Sequence, residues 1–407
     1  MGTLRFISEN LPWLAAGMLL TFLSSFGQTF FISVFAGEIR EAYGLSHGQW
    51  GGIYTLGTSA SAILMVWAGG LTDRFRVRAL GPIILAMLAG ASLFMAGAHG
   101  AWILPVVIFT LRFTGQGMTS HIAVVAMARW FIATRGRALS IAAVGVGIGE
   151  AVLPLLFVAL LPFVAWRMLW VICAGITLCG IPLLMLLLRN ERTPQSFATS
   201  ESTLGMEARH WTRGEALKHP LFWFTVPALL GPAAFITAFF FNQVDYAALK
   251  GISHLSFVAL FPLYTVMTFL FSLVFGVALD RFGTARLMPF IQLPFTIAFL
   301  SFAMTSGIPG LILGFFFAAA ANGAMMTVPN AFWADFYGTA NIGSIKAMAT
   351  AVMVFGSAIG PGLTGIGLDL GIGLDTQYSF VGLWFVFTTM MMWLGISRSR
   401  QALPNTA

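Results

Sequence analysis

GGLTDRFRVR at residues 69–78 and GVALDRFGTAR at residues 276–286 are two versions of one pattern, Gly-x-x-x-Asp-Arg, set about half the chain apart. Each closes an apolar run, 49–71 before the first copy and 255–279 before the second. Such runs are about as long as a helix needs to cross a ~30 Å hydrocarbon layer, and a charged pair at the end marks where the helix leaves it.

Working outward, comparable runs recur along the whole chain, at 11–36, 49–71, 80–98, 102–128, 137–165, 167–188, 221–244, 255–279, 286–305, 309–332, 346–368 and 378–396. Twelve spans are expected. A lipid-exposed backbone must satisfy its own hydrogen bonds, and none of these runs shows the alternation of barrel strands, so all twelve read as helices. Of the 407 residues, 58% are hydrophobic and 9% charged, against roughly 25% charged in soluble domains.

The net charge of +7 is not a nucleic-acid signal, because the basic residues sort by side. With the N-terminus inside, all of the 21 Lys and Arg except Arg40, Arg167, Lys250 and Arg112 fall on the inner face. Arg112 alone lies within the membrane, and both termini are expected in the cytoplasm. Cys173 and Cys179, six residues apart on one helix, do not face each other and carry no redox signal. The first span is too long for a signal-peptide core and is expected to be retained.

One long polar stretch divides six spans from six. The expected organisation is a bundle over 1–188, a linker over 189–220 and a second bundle over 221–407. Thr193–Ser202 reads as flexible, and Thr212-Arg-Gly-Glu215 has capping-box spacing, which predicts a short helix before Pro220. The halves repeat: Gly145-x-x-x-Gly149 in the fifth span recurs as Gly356-x-x-x-Gly360 in the eleventh. The fold class is therefore an all-α integral membrane protein of two pseudo-symmetric six-helix bundles, with solute passing between them.

The paired loops resemble the signature G-x-x-x-D-R-x-G-R-R/K of the major facilitator superfamily, although Arg76 stands at its glycine and Val77 at a basic position. WFIATRGRAL (130–139), EALKHPLFW (215–223) and WADFYG (333–338) are similar to stretches of its monocarboxylate porters and oxalate/formate exchangers. The resemblance covers essentially the whole chain. It implies that Asp73 and Arg74, with Asp280 and Arg281 as their twins, latch helix ends as a gate. Ion pairs at a membrane boundary that exist in only one of two bundle arrangements would do this.

Two ionisable residues lie deep. Arg112 is about ten residues into the fourth span and Glu150 about thirteen into the fifth, which runs the other way. At 1.5 Å per residue their depths differ by only about 5 Å. A charge there costs at least a few kcal/mol, so such residues face a cavity or a partner. Glu150 reads as a carboxylate that takes up and releases a proton, and Arg112 as the holder of an anionic substrate group. A permanent structural pair is the bland alternative. At Glu150's place the second half has Pro361, after Gly360.

On Arg112's helical face lie Gln116 and Thr119, while His121 is half a turn away. Ser24 and Gln28 on the first span, Tyr264, Thr268 and Ser272 on the eighth and Asn322 on the tenth form polar stripes that would line the cavity. Asn242, Gln243 and Asp245 are expected to form an outer vestibule, and Phe239–Phe241 to face lipid or the interface. The functional expectation is proton-coupled secondary transport of a monocarboxylate-type anion. The eighth and eleventh spans hold no Arg or Lys within them, where the family resemblance implies that dicarboxylate porters place one, and this disfavours a dianion. Uptake or efflux of a larger planar, weakly charged molecule is the alternative; a channel or a sensor is a third reading. No metal-spaced Cys/His set, Walker loop or H-E-x-x-H occurs, so neither catalysis nor a cofactor or metal is expected. The partners expected are a small molecule, protons and the lipid of the inner membrane, with no nucleic acid, for a monomeric chain.

Overall fold

The computed structural model describes residues 3–131, 134–192 and 204–403, without the side chains of Thr3, Leu4 and Asp73. Among the described residues, twelve helical spans are long and apolar enough to cross a membrane: Arg5–Gly27, His47–Ala68, Val77–Gly97, Ala101–Trp130, Arg135–Leu160, Trp166–Leu187, Pro220–Phe241, His254–Phe282, Thr284–Met304, Gly307–Tyr337, Ile342–Asp369 and Leu374–Ala402. No strand occurs among the described residues. The chain forms two compact units, Met1–Thr199 with Phe240–Asp245, and Ser200–Phe239 with Tyr246–Ala407.

In the first unit the third span packs on the sixth, the first on the fifth and the second on the fourth. Small residues set the first-to-fifth contact. A Cβ on Gly145 would come within 2.0 Å of the Met18 carbonyl oxygen, and one on Gly149 within 2.0 Å of Ser25 Oγ. In the second unit the eighth span packs on the tenth and the ninth on the twelfth. There Gly356 and Gly360 repeat the device against the seventh span, 2.8 Å from Leu230 O and 2.1 Å from Ala234 O by the same measure. In lipid no hydrophobic force joins helices, so close backbone approach at small residues supplies the packing.

The part of Thr193–Ser202 read as flexible lies outside the described residues. Beyond it the capping box closes: the Thr212 hydroxyl accepts from Glu215 N, Glu215 Oε2 accepts from Thr212 N at 2.7 Å, and the helix Arg213–Lys218 follows. This segment is docked in the second unit. Trp211 N donates to Tyr337 O at 3.0 Å, Asn341 Nδ2 donates to Trp211 O, and Met206 and Trp211 are buried beside Phe336 and Tyr337. Gly338 turns this corner at φ +78°, where a Cβ would also strike His210.

Candidate functional site

The first span is not one continuous helix, contrary to the 11–36 reading. It is helical to Leu23, tightens to 3₁₀ over Ser24–Gly27, becomes extended at Gln28 (ψ 153°) and restarts at Thr29. No proline lies at the break. Gly27 instead meets the fourth span backbone to backbone, and a Cβ on it would fall 2.2 Å from Leu111 O. Opposite the break the fourth span widens into a π-helix over Arg112–Thr119, and a Cβ on Gly115 would lie 2.6 Å from Gly27 Cα. Such π segments are rare and concentrate at functional sites.

The break and the wide turn together hold Arg112. Its side chain is 3% exposed, and Nη1 donates to the carbonyl of Gly27 and to the hydroxyl of Thr29, each at 3.2 Å. Thr29 also bonds the Tyr54 hydroxyl, and the guanidinium carbon lies 5.4 Å from the centroid of the Tyr54 ring. Nε has no hydrogen-bond partner. Among the described residues no carboxylate bonds this cation, so Arg112 and Glu150 are not joined as an ion pair. Glu150 is half-buried on the fifth span, next to the Gly149 contact with Ser25. Arg112 thus sits at the break itself, on Gly27, while the fifth span meets the first through Gly149, the residue before Glu150, at Ser25.

Gln28 and Gln116 are half-buried, one at the break and one within the π turn. In the second unit the structure brings Tyr264 and Asn322 together: the amide of Asn322 donates to the Tyr264 hydroxyl, and the tyrosine ring packs 5.4 Å from Phe315. Thr268 and Ser272 donate to carbonyls of their own helix, Tyr264 O and Phe269 O.

Several expectations need correction. Ser24 and Gln28 do not share a helical stripe, because the helix stops between them; Ser24 is fully buried and bonds Ser120. Thr119 does not serve Arg112, since its hydroxyl donates to Thr114 O, five residues back, across the π turn. His121 lies beside Gly69 of the second span. Asn242 and Gln243 are buried rather than lining an open vestibule: Gln243 Nε2 donates to Ser33 Oγ at 2.7 Å, and Asp245 takes Arg40 Nη1 at 2.7 and 2.8 Å. Phe239, Phe240 and Phe241 are buried, not lipid-facing. Phe241 stacks on Trp50 at 5.6 Å and lies 4.7 Å from Tyr54. Thr29, Trp50 and Tyr54 were missed; a tyrosine alone in the second span and a threonine directly after Gln28 were the available signals.

At the loops read as gates, the Asp73 side chain lies outside the described residues, and Arg74, Asp280 and Arg281 are exposed, Arg281 over the Phe282 ring. Each loop is tied within its own unit. Arg129 Nη1 donates to Thr72 O at 2.6 Å, and the Thr284 hydroxyl bonds Asp335 of the 333–338 stretch.

Twelve membrane-spanning helices in two units built on the same glycine contacts, with a buried cation at a helix break, define a multi-pass membrane transporter. The chain belongs to the Major Facilitator Superfamily, whose family model matches residues 17–264 and 244–407. It is 24% identical over 197 residues to the probable sulfoacetate transporter SauU of Cupriavidus necator, a match spanning 47% of this chain and 45% of that relative's length. In fold it is similar to a bacterial homolog of the human lysosomal transporter Spinster, solved inward-facing and unoccupied: TM-score 0.71 and 16% identity, over 97% of this chain and 98% of that one. It is likewise similar to the nucleoside transporter NupG, with TM-score 0.70 and 16% identity over 95% and 99% of the two chains.

Proposed function

We propose that this transporter is a monomeric, proton-coupled carrier of a small organic anion in the inner membrane, with Arg112 holding the anionic group. The observation that carries this reading is the company Arg112 keeps. Its hydrogen bonds go to a neutral carbonyl and a neutral hydroxyl, and one guanidinium N–H is unused. A buried guanidinium left with neutral partners gains from an entering carboxylate or sulfonate, because charge-assisted bonds are about twice as strong as neutral ones. Gln28 and Gln116, at the same break, would donate to the remaining oxygens; within the second unit Tyr264 and Asn322 are the proposed substrate-binding pair. The similarity to a probable sulfoacetate transporter supports a small acid. Asp73, Arg74, Asp280 and Arg281 act in this reading as the inner gate.

Glu150 is the proton carrier in this reading: a half-buried carboxylate within the fifth span, protonated in one state of the cycle and ionised in the other. In proteoliposomes Glu150→Gln is expected to lose accumulation driven by a pH gradient while keeping counterflow exchange of labelled acid. Undiminished accumulation would sink the coupling role, and absence of counterflow for every acid tried would sink transport of acids. The rings of Trp50, Tyr54 and Phe241 near Arg112 favour one further reading, a planar substrate bearing a single acidic group. Competition by planar aromatic acids against short aliphatic ones separates the two.

A further inference from the structure

We propose that an arginine-lined cleft at the inner end of the first unit binds the headgroup of an anionic glycerophospholipid with hydroxyl donors. The cleft has a volume of about 220 Å³ and is lined by Arg74, Arg76, Arg129, Arg192 and Glu191. Two of the arginines form its frame. Arg129 is anchored on Thr72 O, and Arg192 bonds Asn10 while lying over the rings of Phe131, at 4.6 Å, and Trp13. The other two are available: Arg74 and Arg76 are exposed and form no hydrogen bond or ion pair among the described residues.

Four arginines and one glutamate, Glu191, line the cleft, and Asp73 on the same loop adds one more negative charge, so the region keeps an excess of positive charge. Guanidinium forks match the geometry of phosphate oxygens. Glu191 defines a second requirement. Its Oε1 accepts from Val77 N at 3.0 Å, but Oε2 is buried without a partner. A buried acceptor left unmade costs free energy, so the ligand that completes this cleft brings a donor as well as an anion. A glycerol headgroup does both.

The remaining wall argues for a lipid over a soluble phosphoester. Ile122, Val125 and Ala126 line it, and Phe75, 54% exposed, stands at its edge. The second span leading into this loop exposes Val66 and Trp67, as a lipid-facing helix end does. Basic clefts on the cytoplasmic side of membrane helices are suited to anionic headgroups, each Lys or Arg near the surface strengthening binding about fivefold.

The test uses the full-length protein in neutral detergent, with native mass spectrometry and thermal unfolding as readouts. Phosphatidylglycerol is expected to bind and raise the Tm, phosphatidylcholine and glycerol 3-phosphate are not, and phosphatidylmethanol, anionic but without headgroup hydroxyls, is expected to bind more weakly. Arg76→Gln should weaken phosphatidylglycerol about fivefold without changing the lipid-free Tm, because that side chain is exposed. Arg192→Gln should weaken it too. Equal binding of phosphatidylcholine, an equal effect of glycerol 3-phosphate, or full affinity in both variants would each overturn the proposal; equal binding of phosphatidylmethanol would overturn the role of Glu191.

Discussion

The first and seventh spans occupy matching places in the two units, yet only the first is broken. The seventh carries Pro227 and Pro232 and remains helical over Pro220–Phe241; the first has no proline at Ser24–Gly27 and loses its helix there. The fourth span likewise opens into a π turn, while the tenth stays α-helical over Gly307–Tyr337. What differs is the neighbour rather than the local propensity. Gly27 and Gly115 remove the side chains that would hold the two helices apart, and both backbones deform where they meet. The deformed pair holds a charge; in the second unit the α-helical tenth span instead shares a neutral Tyr264–Asn322 bond with the eighth. The half that bends its backbone is the half that carries charge, because a freed carbonyl is what makes a buried guanidinium tolerable.

This contrast can be broken most severely at its origin. Gly27→Ala is expected to destabilise the protein by more than ~3 kcal/mol, since the methyl group meets backbone that cannot yield, whereas Gly276→Ala, which faces open space, should leave the melting temperature unchanged. A wild-type Tm for Gly27→Ala would show that the backbone contact does not shape the site. Next, Arg112→Gln should weaken substrate about 10- to 100-fold in uptake KM, the worth of charge-assisted bonds. Asn322→Ala should cost only about three- to tenfold, as a neutral bond does. If the two variants cost the same, the charged and neutral halves are not distinct in function.

The smallest effect lies in the segment between the halves. Thr212→Ala removes a helix cap and should cost about 1 kcal/mol in the second unit alone, read by hydrogen exchange over 213–218. Hydrogen bonds from Thr212 and the nearby Arg209 hold the Glu215 carboxyl at about 2, below its ordinary 4.5. A carboxyl depressed in the folded state stabilises above its unfolded pKa and loses that contribution as pH falls through the folded one. Protection of 213–218 should therefore be constant above about pH 5 and decline from there toward pH 2.

Much of this was legible from residues alone. Length and apolarity placed the twelve spans, Thr212-x-x-Glu215 gave a helix start, and the repeated Gly-x-x-x-Gly pairs gave helix contacts, because each rests on local chemistry. The break at Gln28 and the π turn at Arg112 were not legible. Both are imposed by one helix on another, and counting faces on an ideal helix then misplaces everything beyond the defect, as it did for Thr119 and Gln28. The aromatic run at Phe239–Phe241 was misread for a related reason: composition cannot distinguish a ring facing lipid from one packed at a helix end.

The carbonyl of Gly27 has one more consequence. A carrier that delivers net cargo must return empty, and a bare guanidinium would resist closing around a dry interior. Gly27 and Thr29 give Arg112 something to hold when no cargo is present, so the unloaded return remains thermally accessible. With Arg112 as the proposed anchor, substrate competes with the protein's own backbone for the cation. In the proposed reading that competition caps affinity, hastens release, and suits net transport rather than strict exchange of one anion for another.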